Sequence, residues 1–206
     1  MAVTPLFLKG LAIGLVIAVP AGPVGLLCVH RTLLQGALVG LVSGLGAATA
    51  DGVYGAVAAL GLTGVARFLL SYQDYLRLFG GAFLLVLGLR VLRRPPAAAA
   101  ADSDGGLLHA FASCFVLTLT NPATILAFVA IFAGIGVVGA GDGYGEVISL
   151  MAGVFVGSAM WWLALSGLVA ALRGHVTSRL MAWIHRASGA ILVGFGGGVL
   201  ASIVVW

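Results

Sequence analysis

The sequence predicts an all-α polytopic membrane protein: six transmembrane helices, arranged as two inverted three-helix repeats with broken helices one and four. Three observations lead there. The 206-residue chain is 62% hydrophobic and 8% charged, with a mean hydropathy of +1.20, whereas a soluble domain carries roughly 25% charged residues. Apolar runs of about 20 residues, the length that crosses a bilayer, recur along almost the whole chain. Two of these runs are interrupted by proline, one in each half. The spans are expected at 5–29, 36–62, 75–92, 107–138, 146–172 and 187–206.

The first span contains Ala18-Val-Pro-Ala-Gly-Pro-Val-Gly-Leu-Leu27, with Pro20, Gly22, Pro23 and Gly25 in the middle of an apolar run. Proline removes a backbone donor and clashes with the preceding turn, so this helix is expected to break there. The run has Lys9 as its only cation and no small-x-small cleavage site before Pro20, so it reads as a span and not as a signal peptide. The second span carries Gly36, Gly40, Gly44 and Ala48 at intervals of four, leading to Asp51, the only acid well inside a span. Small residues at that spacing let helices approach closely. Asp51 lies ~22 Å along its helix at ~1.5 Å per residue. An unpaired charge at that depth is costly. Asp51 is therefore expected to carry a coupling proton or hold a substrate ammonium; a neutral acid bonded to a neighbouring helix is the structural alternative.

The third span is short, and the polar, Pro- and Ala-rich linker RRPPAAAAADSDGG follows it. The domain organisation is thus a first repeat at 1–92, a cytoplasmic linker at 93–106 and a second repeat at 107–206, all within one membrane domain. The fourth span is too long for one straight crossing and is interrupted at Asn121-Pro122. Asn121 offers a donor and an acceptor at the break, either to substrate or as a cap for the half-helix after it. The fifth span carries Trp161-Trp162, which either wall a site, with a cation-π face for an ammonium, or pack in the core or against lipid. Before the sixth span, RGHVTSRLMAWIHR sets Val176, Leu180, Trp183 and Ile184 on one face, which suggests an interfacial helix with Trp183 at the headgroups. Gly194-Phe-Gly-Gly-Gly198 then reads as a helix contact, within the protomer or across a dimer.

Cations set the orientation. Connections one, three and five hold Arg31, then Arg90, Arg93 and Arg94, then Arg173, Arg179 and Arg186; connection two holds Arg67 and Arg77, and connection four none. The odd connections are therefore expected in the cytoplasm, with both termini outside. The halves also resemble each other. A shift of 109 residues matches Gly36 with Gly145, Gly44 with Gly153, Arg77 with Arg186 and Gly80 with Gly189; a shift of 99 brings Pro23 onto Pro122. Three spans per half is an odd number, so the second half enters the membrane upside down. Inverted repeats with paired broken helices are the architecture of many secondary transporters, which bind substrate near the bilayer midplane between opposed helix ends.

Other chemistries find little support. Cys28 and Cys114 form no CxxC or Cys/His cluster, His109, His175 and His185 show no metal spacing, and His30 and Arg31 read as charges at a cytoplasmic helix end. There is no Walker loop, nucleophile elbow or HExxH motif. No enzyme activity, cofactor, resident metal or nucleic-acid partner is expected.

The segment AVPAGPVGLLCVHRTLLQGALVGLVSGLGAATADGVYGAVAALGL resembles the first two spans of the LysE/RhtB superfamily of amino-acid exporters. TLTNPATILAFVAIFAGIG and WIHRASGAILVGFGGGVL resemble its Asn-Pro motif and its last span. The resemblance covers nearly the whole chain and implies an exporter of amino acids or similar small solutes in the inner (cytoplasmic) membrane. It further implies a protonmotive drive and allows a homodimer. Its motif residues fall on Pro20, Gly22, Pro23, Asp51, Asn121 and Pro122, to which the residues themselves add Trp161 and Trp162 as site candidates. Ala21 is inserted in the first motif, Ala50 stands where glycine often precedes the acid, and Thr124 replaces a common lysine; these departures bear on the substrate and not on the fold. The alternatives are export of a metal cation or another metabolite, and a non-transporting scaffold subunit.

Overall fold

Residues 3–19, 22–59, 71–93, 106–121, 124–125, 127–128, 144–175 and 177–204 are described by the computed structural model. Those residues are helical almost throughout, with no strand among them. The helices are α1 (Val3–Ala18), α2 (Gly22–Gln35), α3 (Ala37–Ala59), α4 (Gln73–Arg93), α5 (Gly106–Thr120), α6 (Tyr144–Leu172) and α7 (Ser178–Val204). Four of them, α3, α4, α6 and α7, are long and apolar enough to cross a membrane. The pair α1 and α2 makes a fifth crossing if counted as one span, bent by 79°. At 15 residues, α5 measures ~22 Å, short of the ~30 Å hydrocarbon thickness. Most of the remainder of the expected fourth span lies outside the described residues, as does the linker from 94 to 105.

Each break has a local cause. Pro23 sits in the first turn of α2, where a missing N–H costs no helical bond, and Gly22 before it takes φ +47°. Gly36 ends α2 in the left-handed region at φ +102°, its N–H bonded to the carbonyl of Thr32 at 3.1 Å; this is the usual glycine termination of a helix. Arg90 and Arg93 occupy the last turn of α4, where cations offset the carbonyl end of the dipole.

The last helix departs from expectation. No interfacial helix turns off before the sixth span; α7 runs unbroken from Ser178 to Val204. Its 27 residues extend ~40 Å, so the basic amphipathic segment is the end of a long helix, with Trp183 exposed.

Glycines set how the helices cross. Gly10 and Gly14 of α1 abut the carbonyls of Leu150 and Val154 of α6, while Gly153 and Gly157 of α6 abut those of Phe7 and Leu11. The contacts advance along both helices together, so α1 and α6 are parallel. Likewise α3 runs parallel to α5, with Gly46 against Phe111 and Tyr54 beside Leu119. By contrast α4 and α7 are antiparallel, with Gly81 facing Gly196 and Gly88 facing Gly189, and α3 and α6 are antiparallel, with Gly44 under Trp162 and Gly55 against Val154. A Cβ at residue 14 would be driven into the backbone of α6 and not into a movable side chain. Gly14→Ala is therefore expected to cost about 3 kcal/mol, the upper part of the over-packing range. Unfolding in mixed micelles measures this, with Gly167→Ala, where nothing lies within 4 Å, as the neutral control.

Candidate functional site

At the antiparallel crossing of α3 and α6, Asp51 is buried, 3% exposed. Ser158 of α6 donates its hydroxyl to Asp51 Oδ2 at 2.7 Å, and Trp162 Nε1, one turn further on, donates to Ser158 Oγ at 3.1 Å. Trp162 is 1% exposed and sits against Gly44, whose missing side chain makes room for the indole. The small-residue stripe of α3 thus makes room at defined points, since Gly44 admits Trp162 and Gly40 admits Thr32 of α2. Among the described residues the single ion pair is Arg77 with Asp74, at 3.3 Å on the surface. Asp51 has no cation beside it among those residues.

One turn beyond Asp51, Tyr54 donates its hydroxyl to the carbonyl of Leu119 at 2.7 Å. That carbonyl belongs to the last turn of α5, where helical partners run out. Tyr54 also stacks on Phe128, at 5.0 Å between ring centres. The Asp51 face of α3 is therefore tied to the second break. There Asn121 follows the end of α5, its N–H bonded to the carbonyl of Thr118 at 3.3 Å, and its own carbonyl accepts from the N–H of Ile125 at 3.1 Å. Asn121 stands as the first acceptor of a new helical turn.

The first break opens on a cleft of about 400 Å³ between α2, α6 and α7. Val19 at the end of α1 and Gly22 at the start of α2 both line it, with Trp161 of α6 and Ser188 of α7 on the far walls. The expected site residues thus fall into two neighbouring groups. Asp51 and Trp162 share one hydrogen-bonded chain, Gly22 and Trp161 share the cleft, and Pro23 is buried in the first turn of α2. Adjacent on α6, the two tryptophans point to different jobs. Asn121 lies on the Tyr54 side. Pro20 and Pro122 lie outside the described residues.

Two buried clusters were not expected. Arg31 is no surface charge: it is 8% exposed and reaches from α2 to Ser43 Oγ of α3 at 2.9 Å and, on α5, to Ser113 Oγ at 2.8 Å and the carbonyl of Ala110 at 3.0 Å. Cys28 and Cys114, both free and buried, adjoin beside it, and Cys114 Sγ lies 3.5 Å from the guanidinium. His30 Nε2 meets His185 Nδ1 at 2.8 Å, joining α2 to α7. The sequence signal for this is that HRTLLQ keeps the helical pattern past residue 29, so α2 continues to Gln35 and carries both residues inside. Ser158 and Ser188 gave no signal at all.

The profile of the LysE type translocator family matches residues 15–202 of this chain. The chain belongs to that family. Family membership makes it a membrane transporter. Relatives agree along nearly the full length of this translocator. It is 26% identical over 198 residues to the "Putative amino acid efflux protein YcgF" of Bacillus subtilis (strain 168), covering 93% of each chain. It is 28% identical over 207 residues to the "Uncharacterized membrane protein PA4757" of Pseudomonas aeruginosa, covering 95% of this chain and 94% of the relative. No solved structure matches it.

Proposed function

We propose that this translocator is a secondary active exporter of amino acids or similar small solutes across the cytoplasmic membrane. It exchanges protons for substrate by alternating access between two inverted three-helix repeats. One observation carries the reading: Asp51, the buried acid of α3, is bonded to Ser158 of α6 with no cation beside it among the described residues. A carboxylate at membrane depth is tolerable only when something neutralises it, a proton or the ammonium of a substrate. Either occupant changes the contact between a helix of the first half and a helix of the second. The name of the Bacillus relative, an amino acid efflux protein, supports the substrate class.

The packing supports the repeat. The first repeat comprises residues 1–92 and the second 107–206, each with three spans. Under a two-fold axis relating them, the first span on the fifth must be mirrored by the fourth on the second, and the second-fifth and third-sixth pairs must be antiparallel. Among the described helices, α1 lies parallel to α6 and α3 parallel to α5, while the α3–α6 and α4–α7 pairs are antiparallel, which supports such an axis. Breaks near Pro20–Pro23 and Asn121–Pro122 are the points about which the halves rock. The Arg31 cluster joins α2 and α3 of the first repeat to α5 of the second, and serves as a cytoplasmic latch between them. A homodimer fits the lipid side of α7, where Gly194, Gly197 and Gly198 meet nothing within 4 Å.

Export from cells fed with dipeptides tests the reading. Cells with this protein are expected to release one or a few amino acids faster than cells without it, and a protonophore is expected to abolish the difference. Equal release of every amino acid with and without the protein would contradict the proposal.

A further inference from the structure

The two breaks are not alike. At the second, one side chain holds both sides. The Tyr54 hydroxyl donates to the Leu119 carbonyl, in the last turn of α5, at 2.7 Å. The Tyr54 ring stacks on Phe128, beyond the break, at 5.0 Å between ring centres. The 109-residue shift that relates the halves sets Leu163 in the place of Tyr54. Leu163 has no hydroxyl and is 59% exposed, and Gly22 at the first break faces a cleft. Among the described residues the tie is confined to the second break.

Tyr54 stands one turn after Asp51, and long side chains on a helix lean back over the turn before them. The two residues are within electrostatic reach of each other, as neighbours three apart on a helix are. The other surroundings of Tyr54 are apolar: Ile13 and Ile17 of α1, Val154 of α6, Leu119 of α5, and Ile125 and Phe128 past the break. From α6, Asp51 receives the Ser158 hydroxyl. The buried cation of α2, Arg31, meets α3 at Ser43, about two turns before Asp51. Asp51 is thus the titratable group that faces Tyr54 among the described residues. A hydrogen bond to a carboxylate is roughly twice as strong as one to a neutral carbonyl. An ionised Asp51 outcompetes the Leu119 carbonyl for the Tyr54 hydroxyl, and a neutral Asp51 does not.

We propose that Tyr54 is the positioning residue through which Asp51 governs the second break. Its hydroxyl clamps the end of α5 while Asp51 is protonated, and turns to the Asp51 carboxylate when the proton leaves, which frees the break to open. The inference rests on Asp51 as the proton carrier of the proposed exporter, and adds the link from that proton to the part that moves.

A double-mutant cycle tests the link. Thr124→Cys, just past the break where the side chain is half-buried, reports opening through its rate of labelling by N-ethylmaleimide in nanodiscs, in a Cys28→Ser, Cys114→Ser background. In alkaline medium Asp51→Asn, which fixes the neutral state, is expected to slow labelling about tenfold where the Tyr54 hydroxyl is present. In a Tyr54→Phe background, which keeps the ring and its stack on Phe128, Asp51→Asn is expected to change the rate less than about twofold. A hydroxyl that only packs α3 against α5 gives additive effects. Slowing of equal size in both backgrounds, or none where the hydroxyl is present, would overturn the inference. Under a pH gradient in proteoliposomes, Tyr54→Phe is expected to accumulate about tenfold less amino acid than the unaltered protein; equal accumulation would overturn the inference as well. The labelling cycle needs no substrate. An additive cycle beside proton-driven export removes the clamp and keeps the exporter reading, whereas a non-additive cycle in a protein that exports no amino acid keeps the clamp and removes that reading.

Discussion

Asp51→Asn is expected to abolish proton-driven export, lowering the rate at least about a hundredfold, while the protein reaches the membrane in normal amount. The amide keeps the size of the carboxylate and can still accept from Ser158 Oγ, whose bond to Asp51 is 2.7 Å long. The α3–α6 crossing and the packing of Trp162 against Gly44 are then held as before. What the amide loses is the ability to take up and release a proton. A stable fold with lost transport is thus the signature of coupling, whereas a scaffold role predicts that nothing changes. Quantitative blotting of membranes beside the export assay separates the two. Ser158→Ala makes a milder companion: it removes the donor to Asp51 and the acceptor of Trp162, and is expected to slow export without abolishing it.

Arg31→Met is expected to produce the opposite pattern, a loss of fold. The guanidinium satisfies Ser43, Ser113 and the Ala110 carbonyl on two other helices at once. Methionine matches much of the volume but removes the charged donor that ties the three helices, leaving Ser113 Oγ and the Ala110 carbonyl only their mutual bond of 3.2 Å. Hydrogen bonds from a charged donor are worth about 1.5–3 kcal/mol each, and several are lost together. A destabilisation of roughly 3–5 kcal/mol follows, comparable to breaking a buried polar network. Arg31→Lys is expected to recover only part of it, because a single ammonium cannot span the fork that reaches α3 and α5. Thermal unfolding in detergent reads both variants. The latch reading adds that cysteine reagents from the cytoplasmic side should reach Cys114, now 0% exposed, more readily in the lysine variant.

The chemistry that is legible in the sequence is the chemistry with few alternatives. Two prolines and a glycine in an apolar run have to interrupt the helix, and the structure puts Gly22 at φ +47° with Pro23 in the first turn after it. A lone acid such as Asp51 in a hydrophobic helix stands out by cost alone. Its partner does not stand out. Serine is common in membrane helices and bonds equally well to its own backbone, so nothing in the sequence marks Ser158 over Ser166. Arg31 and His30 mislead for a related reason: a charge near the end of an apolar run ordinarily faces water. Here α2 continues to Gln35 and four polar groups on α3 and α5 receive the guanidinium. Only tertiary packing shows that. The division of labour between Trp161 and Trp162 is hidden too, since neighbours on a helix point about 100° apart and the sequence does not say which way the helix is turned. In the last helix, an amphipathic basic segment suggests a helix lying along the membrane. Yet Ala187-Ser-Gly189 holds no proline to turn the chain, and the helix continues straight through.

Transport in proteoliposomes tests the central claim most directly. Purified protein is reconstituted with amino acid on both sides at equal concentration, and a pH gradient is imposed. The account predicts that the unaltered protein accumulates amino acid on the acidic side, that the accumulation collapses with the gradient, and that Asp51→Asn accumulates none. Accumulation by Asp51→Asn equal to that of the unaltered protein would contradict it, and proton coupling would then have to be sought away from the α3–α6 crossing.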